Sequence, residues 1–253
     1  MKNKELTIHT VCRNEVFLYY AVKSVYNYAK EIILIDTGTT NELALEGIDQ
    51  LLKEDNAKKI RYEKIEIGNE EANVIVTKKE TYPNKKFGVG QIRQLMIDRT
   101  NTEFFLTLDG DEIYYNSAIK KIVNEIIPNL NDNIYQVGIP LIWFKDIDHT
   151  VEIGCPITGR IVRTNEVCMT GSYPHEYHAV KETKEAFTLT HKNYLIFRDL
   201  EPFCHFNLML KPEKRIHLKT RNRELYTKPL PEVMRENTYY IQEFIKEVKS
   251  NEQ

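Results

Sequence analysis

Two short and almost wholly apolar runs in the first half of the chain each end at an aspartate. The first run is Glu31–Asp36 (EIILID), and the second, residues 104–108 (FFLTL), is followed directly by Asp109. Consecutive apolar residues in a strand are typical of a parallel sheet that is covered on both faces. Ligands of such sheets bind beyond the carboxyl ends of the strands. The sequence therefore predicts an α/β fold with a candidate site close to Asp36 and Asp109.

The other predicted elements agree with βαβ units in the first half and with added strands in the second. Further strands are predicted over residues 5–12 and 59–66, and helices over residues 15–30, 41–54 and 89–99, the first capped by Asn14. We expect a mobile loop up to about Phe87. From residue 133 onward, the segments IYQVGIPLIWF, GRIVRT, VCMTG and HEYHAV predict antiparallel strands, and two helices are expected over residues 211–227 and 231–249.

Composition restricts the class of protein. The chain has 253 residues, of which 42% are hydrophobic and 28% charged, as in one ordinary globular domain with room for a small helical appendage. The net charge of −2 does not favour a polyanionic partner. The four cysteines form no CxxC pair, which argues against a structural zinc site and fits a reducing compartment. The polar N-terminus does not read as a signal peptide, so we expect a cytoplasmic protein.

The segment DGDE at residues 109–112 carries the clearest chemistry. Asp109 and Asp111 lie two positions apart, so in an extended segment both carboxylates point to one side, roughly 7 Å apart at the backbone. Gly110 between them can adopt a positive φ and lets a ligand approach the backbone closely. Such a pair suits Mg²⁺ or Mn²⁺ with coordination positions left for phosphate oxygens. The alternative is a solvated turn, because Asp and Gly favour turns.

Five segments in this order resemble family-two glycosyltransferases of the GT-A fold. They are VCRNE (11–15), EIILIDTGTTN (31–41), GQIRQLMID with Arg93, FFLTLDGDE (104–112) and GRIVRTNEVCMTGSYPHE (159–176). The last segment looks like that of a subgroup which includes lipopolysaccharide-core glucosyltransferases and peptide S-glycosyltransferases. The resemblance implies a Rossmann-like mixed sheet flanked by helices. It also implies a nucleotide-sugar half at residues 1–115 and an acceptor half at 116–210, followed by a helical extension at 211–253.

The resemblance also implies roles for individual residues. Glu15 and Asp36 would contact the nucleoside, Arg93 would line the base or diphosphate, Asp109 would face ribose or metal, and Asp111 would be the principal metal ligand. His205 would be a metal ligand or a phosphate donor, although a histidine amid Phe203, Cys204 and Phe206 is equally consistent with a hydrogen-bonded core residue.

An inverting transfer, usual in this family, needs a carboxylate base near the acceptor. Glu176 is the candidate, with Asp146 or Asp148 as alternatives. Trp143 and Phe144 are either stacking residues for an acceptor sugar or apolar anchors. The basic stretch at residues 211–223 is either a charged helix face or a site for an anionic acceptor.

The expected function is an inverting, Mn²⁺- or Mg²⁺-dependent transfer of one sugar from a nucleoside-diphosphate sugar, with a UDP-sugar expected. The acceptor is a hydroxyl or thiol of a glycan or lipid, a peptide, or a modified DNA base. Because no QxxRW segment is present, the resemblance favours a single transfer over polymerisation. Two other classes stay open. One is a nucleotidyltransferase, although VCRNEV lacks the glycines of a phosphate loop, and the other is a non-catalytic binding module of the same fold.

Overall fold

The computed structural model describes residues 5–65, 89–144, 150–152, 157–170, 177–184, 187, 191–206 and 223–251. The helices are α1 (Leu18–Tyr26), α2 (Glu42–Glu54), α3 (Val89–Arg99), α4 (Asn116–Lys121), α5 (Glu232–Glu236) and α6 (Tyr239–Asn251). The strands are β1 (Leu6–Cys12), β2 (Glu31–Asp36), β3 (Ile60–Lys64), β4 (Phe104–Thr107), β5 (Glu112–Ile113), β6 (Gln136–Trp143), β7 (Thr150–Glu152), β8 (Ile157–Arg163), β9 (Val167–Thr170), β10 (Tyr177–Val180), β11 (Tyr194–Ile196), β12 (Phe203–His205) and β13 (Arg223–Leu225). Within these residues, no helix has the length and apolar character needed to cross a membrane.

The main sheet has nine strands and is mixed. Its order is β3-β2-β1-β4-β8-β6-β12-β5, and β11 pairs with β6 beside this path. Strands β1 to β4 run parallel, whereas β8 is antiparallel to both β4 and β6. The predicted α/β fold, a mixed sheet flanked by helices with added antiparallel strands, is therefore confirmed. Strands β11 and β12 nevertheless run parallel to β6, and β9 with β10 forms a separate two-stranded sheet.

Both faces of the parallel strands are covered, which explains their apolar runs. In β2, Ile32 and Leu34 belong to the main core, whereas Ile33 and Ile35 pack with Ile92 of α3 on the other face. Helices α1 and α2 contribute to the main core, as does Tyr240 of α6. A strand alternates its side chains between two faces, so consecutive apolar residues are buried only when both faces are occupied.

The start of the first helix differs from the prediction. Helix α1 begins at Leu18 rather than at residue 15, and Asn14 does not cap it but has a positive φ of 58°. The Asn14 side-chain oxygen accepts hydrogen bonds from the backbone N–H groups of Thr40 (2.7 Å) and Asn41 (2.9 Å). Asn14 therefore connects the loop after β1 to the loop after β2. Its side chain accepts hydrogen bonds from backbone N–H groups, as a helix cap would, but in a tertiary contact.

Helices α2 and α3 lie close to their predicted positions. Asn41 caps α2, since its side chain accepts from the Ala44 N–H at 2.9 Å. Near the C-terminus, residues 223–225 form strand β13 against β7 rather than the end of a predicted helix. Cross-strand pairing with a distant segment outweighs local helical preference there. The expected loop before Phe87 and most of the basic stretch at residues 211–223 lie outside the described residues.

Candidate functional site

The carboxyl ends of the parallel strands bring four segments of the chain together. Cys12 pairs with Asp36 at the ends of β1 and β2, and Thr107 pairs with His9 one strand further along. The Leu108 N–H donates to the His9 carbonyl at 2.9 Å, so β4 remains attached to β1 until the residue before Asp109. The DGDE segment therefore begins where the sheet ends, as the sequence predicts.

Glu15 packs directly against the DGDE segment. A side-chain carbon placed on Gly110 would lie 2.7 Å from Cβ and 2.9 Å from Cγ of Glu15, which is closer than real atoms approach. Among the described glycines only Gly38 has a positive φ, so Gly110 does not adopt the positive φ that is open to a glycine. Gly110 is required instead because Glu15 occupies the space that a side chain would need.

Two arginines hold the Asp109 carboxylate. Arg93 of α3 donates to Oδ1 at 2.8 Å, and Arg160 of β8 donates to Oδ2 at 3.1 Å. Burial raises the pKa of Asp109, but the two guanidinium groups outweigh burial and hold that pKa well below its usual value. Asp109 is therefore an anion with both oxygens engaged by cations.

Glu112 is the most deeply buried carboxylate of the segment. Its Oε1 contacts Arg160 Nη2, and its Oε2 accepts from the Asp109 N–H at 3.1 Å, which closes the turn. The side chain is 0% exposed and shares its guanidinium partner with Asp109. Burial, opposed by Arg160 and reinforced by the Asp109 charge, raises the pKa of Glu112 to about 7.

His205 contacts both Asp111 and Trp143. In strand β12, His205 pairs with Glu112 of β5 on one side and with Trp143 of β6 on the other. Its Nε2 is 3.3 Å from Asp111 Oδ1, and the Trp143 indole N–H donates to its Nδ1 at 2.7 Å. The predicted candidates Asp111 and His205 are therefore in direct contact.

Opposing effects act on the protonation of His205. Burial lowers its pKa, but the hydrogen bond to Asp111 and the charges of Asp111, Glu112 and Asp109 outweigh burial and raise it. The Trp143 indole acts in the other direction, because its N–H can only donate and an imidazolium would point a second N–H at it. In the geometry of the Trp143 contact, Nδ1 is the hydrogen-bond acceptor, so the ring proton that faces Asp111 lies on Nε2.

Asp36 has both oxygens engaged within the chain. Oδ1 accepts from the N–H groups of Gly38 (3.1 Å) and Thr39 (2.8 Å), and Oδ2 accepts from the Tyr62 hydroxyl at 3.1 Å. The residue is 0% exposed. These hydrogen bonds outweigh the burial that raises the pKa of Asp36, so that its pKa is lowered. Asp36 thus shapes the loop after β2, and a nucleoside contact through its carboxylate would have to replace one of these bonds.

Of the predicted site residues, Glu15, Arg93, Asp109, Asp111 and His205 are brought together at this edge. Glu176, Asp146 and Asp148, the candidate bases, lie outside the described residues. Arg160 is a site residue that sequence reasoning missed. Its position inside the strand sequence ITGRIVR could have identified it, because a charged side chain among apolar strand neighbours needs a buried partner.

Asp109 and Asp111 differ in how well they suit a divalent cation. In the part of the chain that the structure describes, no group of three or more His, Cys, Asp or Glu residues is arranged to hold a metal ion. Asp109 is occupied by arginines, whereas the buried Asp111 Oδ2 has no hydrogen-bond partner among the described residues. A buried carboxylate oxygen without a partner is costly, and a cation is one of the groups that can satisfy it, as is a water molecule. Asp111 therefore fits a metal ligand as it stands, and Asp109 does not.

Two surface clefts lie elsewhere. One, of about 640 Å³, is lined by polar residues next to the amino end of β4, including Glu103 and Arg163. The other, of about 360 Å³, lies beside Leu130 and Phe197. Neither cleft contains a predicted site residue. The first lies near the amino end of β4, whereas Asp109 follows the carboxyl end of that strand.

Comparisons with known proteins identify structural similarity but no family. The sequence matches no protein-family model and no curated protein. It is similar in structure to glucosyl-3-phosphoglycerate synthase from Mycobacterium tuberculosis in complex with phosphoglyceric acid, with 14% identity over 54% of this chain and 43% of that chain and a TM-score of 0.35. It is also similar to a galactosyltransferase, LgtC, in complex with donor and acceptor sugar analogues. That match has 12% identity over 62% of this chain and 58% of the LgtC chain, with a TM-score of 0.35.

A mycobacterial protein aligns over 91% of this chain and 70% of its own, with 11% identity and a TM-score of 0.41. The chain spans less than half the length of the synthase, and all three TM-scores are below 0.5. These similarities leave the assignment of function to the geometry of the site.

Proposed function

We propose that the protein is a glycosyltransferase that transfers one sugar from a nucleoside-diphosphate sugar, expected to be a UDP-sugar, to a hydroxyl or thiol acceptor. One observation carries the proposal: at the carboxyl edge of the parallel strands, the buried Asp111 Oδ2 has no partner among the described residues, beside a carboxylate held by two arginines. Such an edge combines a site for a hard cation with guanidinium groups that suit phosphate oxygens.

A divalent cation, Mn²⁺ or Mg²⁺, is proposed to bind through Asp111. Asp109 and His205 are the further proposed ligands, and each would have to leave a present partner in order to coordinate. When bound, the cation would neutralise charge that develops on the departing nucleoside diphosphate. This role follows the chemistry of an oxygen-rich site with few protein ligands, in which phosphate oxygens complete the coordination.

Arg93 and Arg160 are proposed to position the diphosphate. Both lie at Asp109, with side chains that are 21% and 13% exposed. Phosphate oxygens compete with a carboxylate for the same guanidinium N–H groups, because both groups present pairs of anionic oxygens that the planar guanidinium can bind. Donor binding would then release Asp109 from one or both arginines and make it available to ribose or metal. Glu15, packed on Gly110, and the Asp36 loop are proposed to form the nucleoside side.

The acceptor side is proposed from the resemblance to inverting family-two enzymes. Glu176 is the proposed base, with Asp146 and Asp148 as alternatives. A glycan or lipid, a peptide and a modified DNA base are the acceptor classes to test. A cytoplasmic setting fits the buried thiols of Cys12, Cys168 and Cys204, which form no disulfide among the described residues.

Hydrolysis and transfer of UDP-sugars with Mn²⁺ or Mg²⁺ test the proposal. Asp111→Asn removes the charge from the proposed ligand, and donor turnover is expected to fall at least about hundredfold, since a metal ligand supports charge in the transition state. Asp132→Asn is the matched control, because the Asp132 side chain is fully exposed and lines the cleft next to the amino end of β4 rather than the site at its carboxyl end. The control should retain parental turnover.

The results separate the candidate functions. If Asp111→Asn turns over the donor as well as the parent does with metal present, the proposed metal role is wrong. Metal-dependent binding of UDP without hydrolysis or transfer over a broad acceptor set would indicate a binding module instead. Turnover of a sugar phosphate with a nucleoside triphosphate would indicate a nucleotidyltransferase.

A further inference from the structure

Trp143 is the only tryptophan of the chain, and it contacts a proposed metal ligand. Its indole N–H donates to Nδ1 of His205 at 2.7 Å. Strand register fixes this contact, because Trp143 and His205 are direct neighbours in the parallel pair β6 and β12. An indole N–H donates and cannot accept, so Nδ1 of His205 must present a lone pair.

The other ring nitrogen of His205 then has a defined role. A neutral imidazole carries a single proton, which must lie on Nε2 when Nδ1 accepts a hydrogen bond. Nε2 is 3.3 Å from Asp111 Oδ1, a distance and partner suited to donation by this N–H. A protonated ring nitrogen has no lone pair for a metal. With Nδ1 occupied by Trp143 and Nε2 protonated, His205 cannot coordinate a cation through either nitrogen.

We infer that Trp143 is a positioning residue that holds His205 as a hydrogen-bond donor to Asp111 and withholds it from a divalent cation. Coordination through Nε2 requires the ring proton to move from Nε2 to Nδ1, with no net gain or loss of protons, and the indole must leave Nδ1. The Trp143–His205 hydrogen bond and cation binding by His205 are mutually exclusive. This inference rests on the proposed function, because it presumes a cation at Asp111.

The two proposed ligands, Asp111 and His205, therefore differ in their availability to a cation. Asp111 Oδ2 lacks a partner among the described residues, so no hydrogen bond of this oxygen has to break before it accepts a cation. His205 can join Asp111 as a ligand only if its hydrogen bond to the Trp143 indole breaks. That hydrogen bond therefore lowers the affinity of the site for a divalent cation that binds by itself. Removing the indole N–H lowers that cost by about one neutral hydrogen bond.

Nitrogen NMR on the metal-free protein tests the tautomer. In the parent, His205 is expected to carry its proton on Nε2, and the single indole N–H signal should show a hydrogen bond to nitrogen. Trp143→Phe keeps an aromatic ring and removes the donor, so a substantial Nδ1–H population should appear. Tyr28→Phe is the matched control, because it removes a donor at the exposed contact to Asn116. It should leave the His205 tautomer unchanged, whereas an Nδ1–H tautomer in the parent overturns the inference.

Titration calorimetry with Mn²⁺ alone tests whether the Trp143 hydrogen bond prevents His205 from coordinating a cation. Trp143→Phe is expected to bind Mn²⁺ about two- to tenfold more tightly than the parent, the equivalent of one neutral hydrogen bond. The gain should disappear in the double variant Trp143→Phe, His205→Gln, which has no imidazole to release. Circular dichroism and melting temperature identify a variant that fails to fold, and the parent tautomer still decides the inference in that case.

The failures can be told apart. Unchanged or weaker Mn²⁺ binding by Trp143→Phe overturns the withholding and leaves the proposed sugar transfer in place. A gain that survives in the double variant also overturns it, because His205 is then not its source. Absence of Mn²⁺ binding in every protein, together with donor turnover that is indifferent to metal and to Asp111→Asn, refutes the metal part of the proposed function and the inference with it.

Discussion

Gly110 shows how a single residue is constrained by its neighbour rather than by its own backbone. Its φ is not positive, yet an added Cβ would approach the Cβ of Glu15 to 2.7 Å. Gly47 offers the opposite case within helix α2, where an added Cβ would meet Tyr19 and Tyr240 at an ordinary 3.6 Å. The two glycines therefore predict opposite responses to the same substitution.

Gly110→Ala is expected to lower the free energy of unfolding by about 1–3 kcal/mol, the usual cost of overpacking. Glu15 and the DGDE segment must separate, so donor turnover should fall about tenfold or more, since small displacements at a reacting centre are expensive. Gly47→Ala should raise stability by about 0.5–1 kcal/mol, because glycine weakens a helix interior. Urea unfolding measures both. Equal effects of the two substitutions would contradict the close contact at Glu15.

At the same scale, the sequence could identify the site residues that directly follow a predicted strand. It could not identify those that reach the site through pairing with a distant strand. Asp109 and Asp111 follow an apolar run, which is a local signal. Arg160 reaches Asp109 through the antiparallel pairing of β8 with β4, and no local pattern records that pairing. The Trp143–His205 contact likewise depends on two strands that are 62 positions apart in sequence.

At the scale of elements, the last helix, α6, is built into the main core. Tyr240 is 0% exposed, packs on the Tyr19 ring at 5.0 Å and donates from its hydroxyl to Gln50 of α2 at 2.6 Å. Phe244, one turn further along, meets the Phe17 ring at 5.6 Å. Helix α6 therefore stabilises the helices that cover one face of the parallel strands.

Two adjacent tyrosines test this packing. Tyr240→Ala is expected to lower the free energy of unfolding by about 3 kcal/mol or more, because it leaves a cavity in the core and removes a buried hydrogen bond. Tyr239 is 43% exposed and bonds Glu46 at the surface. Tyr239→Ala should therefore cost under about 1 kcal/mol. Chemical unfolding measures both changes, and a loss at position 240 no larger than that at 239 would refute the role of α6.

Element boundaries were predictable where the signal is local and failed where a tertiary contact competes. Helix α2, predicted over residues 41–54, is found at Glu42–Glu54 with Asn41 as its cap. Asn14, with the same chemistry, bonds the loop after β2 instead, and α1 begins three residues later than predicted. The strand at residues 223–225 exists because of its partner β7, which lies more than 70 positions earlier and leaves no trace in the local pattern.

On the scale of the whole molecule, the second face of the sheet holds a buried histidine, His9, and a partly buried one, His178, near the Arg93 cation. His9 stacks on Phe105 at 4.2 Å, and His178 of β10 meets the same ring at 5.5 Å. Burial, the neighbouring His178 and the Arg93 charge hold the pKa of His9 well below its usual value. Burial, with the charges of Arg93 and Arg160, lowers the pKa of His178 to about 3. Both histidines are therefore neutral in the folded protein near neutral pH.

This arrangement predicts a loss of stability on mild acidification. The unfolded chain takes up protons on these histidines below about pH 6.5, whereas folded His178 resists protonation until about pH 3. Between these values the unfolded state binds more protons, so stability falls as pH falls, by at most about 1.4 kcal/mol per pH unit for each histidine.

His178→Gln removes one of the two titrating groups. Between pH 7 and pH 5 the variant should therefore lose less stability than the parent, by up to about 2 kcal/mol. Urea unfolding at the two pH values measures the difference, and comparing each protein with itself removes any constant cost of the substitution. If the variant loses as much stability on acidification as the parent does, His178 is not buried in its neutral form and the packing of β10 on this face is wrong.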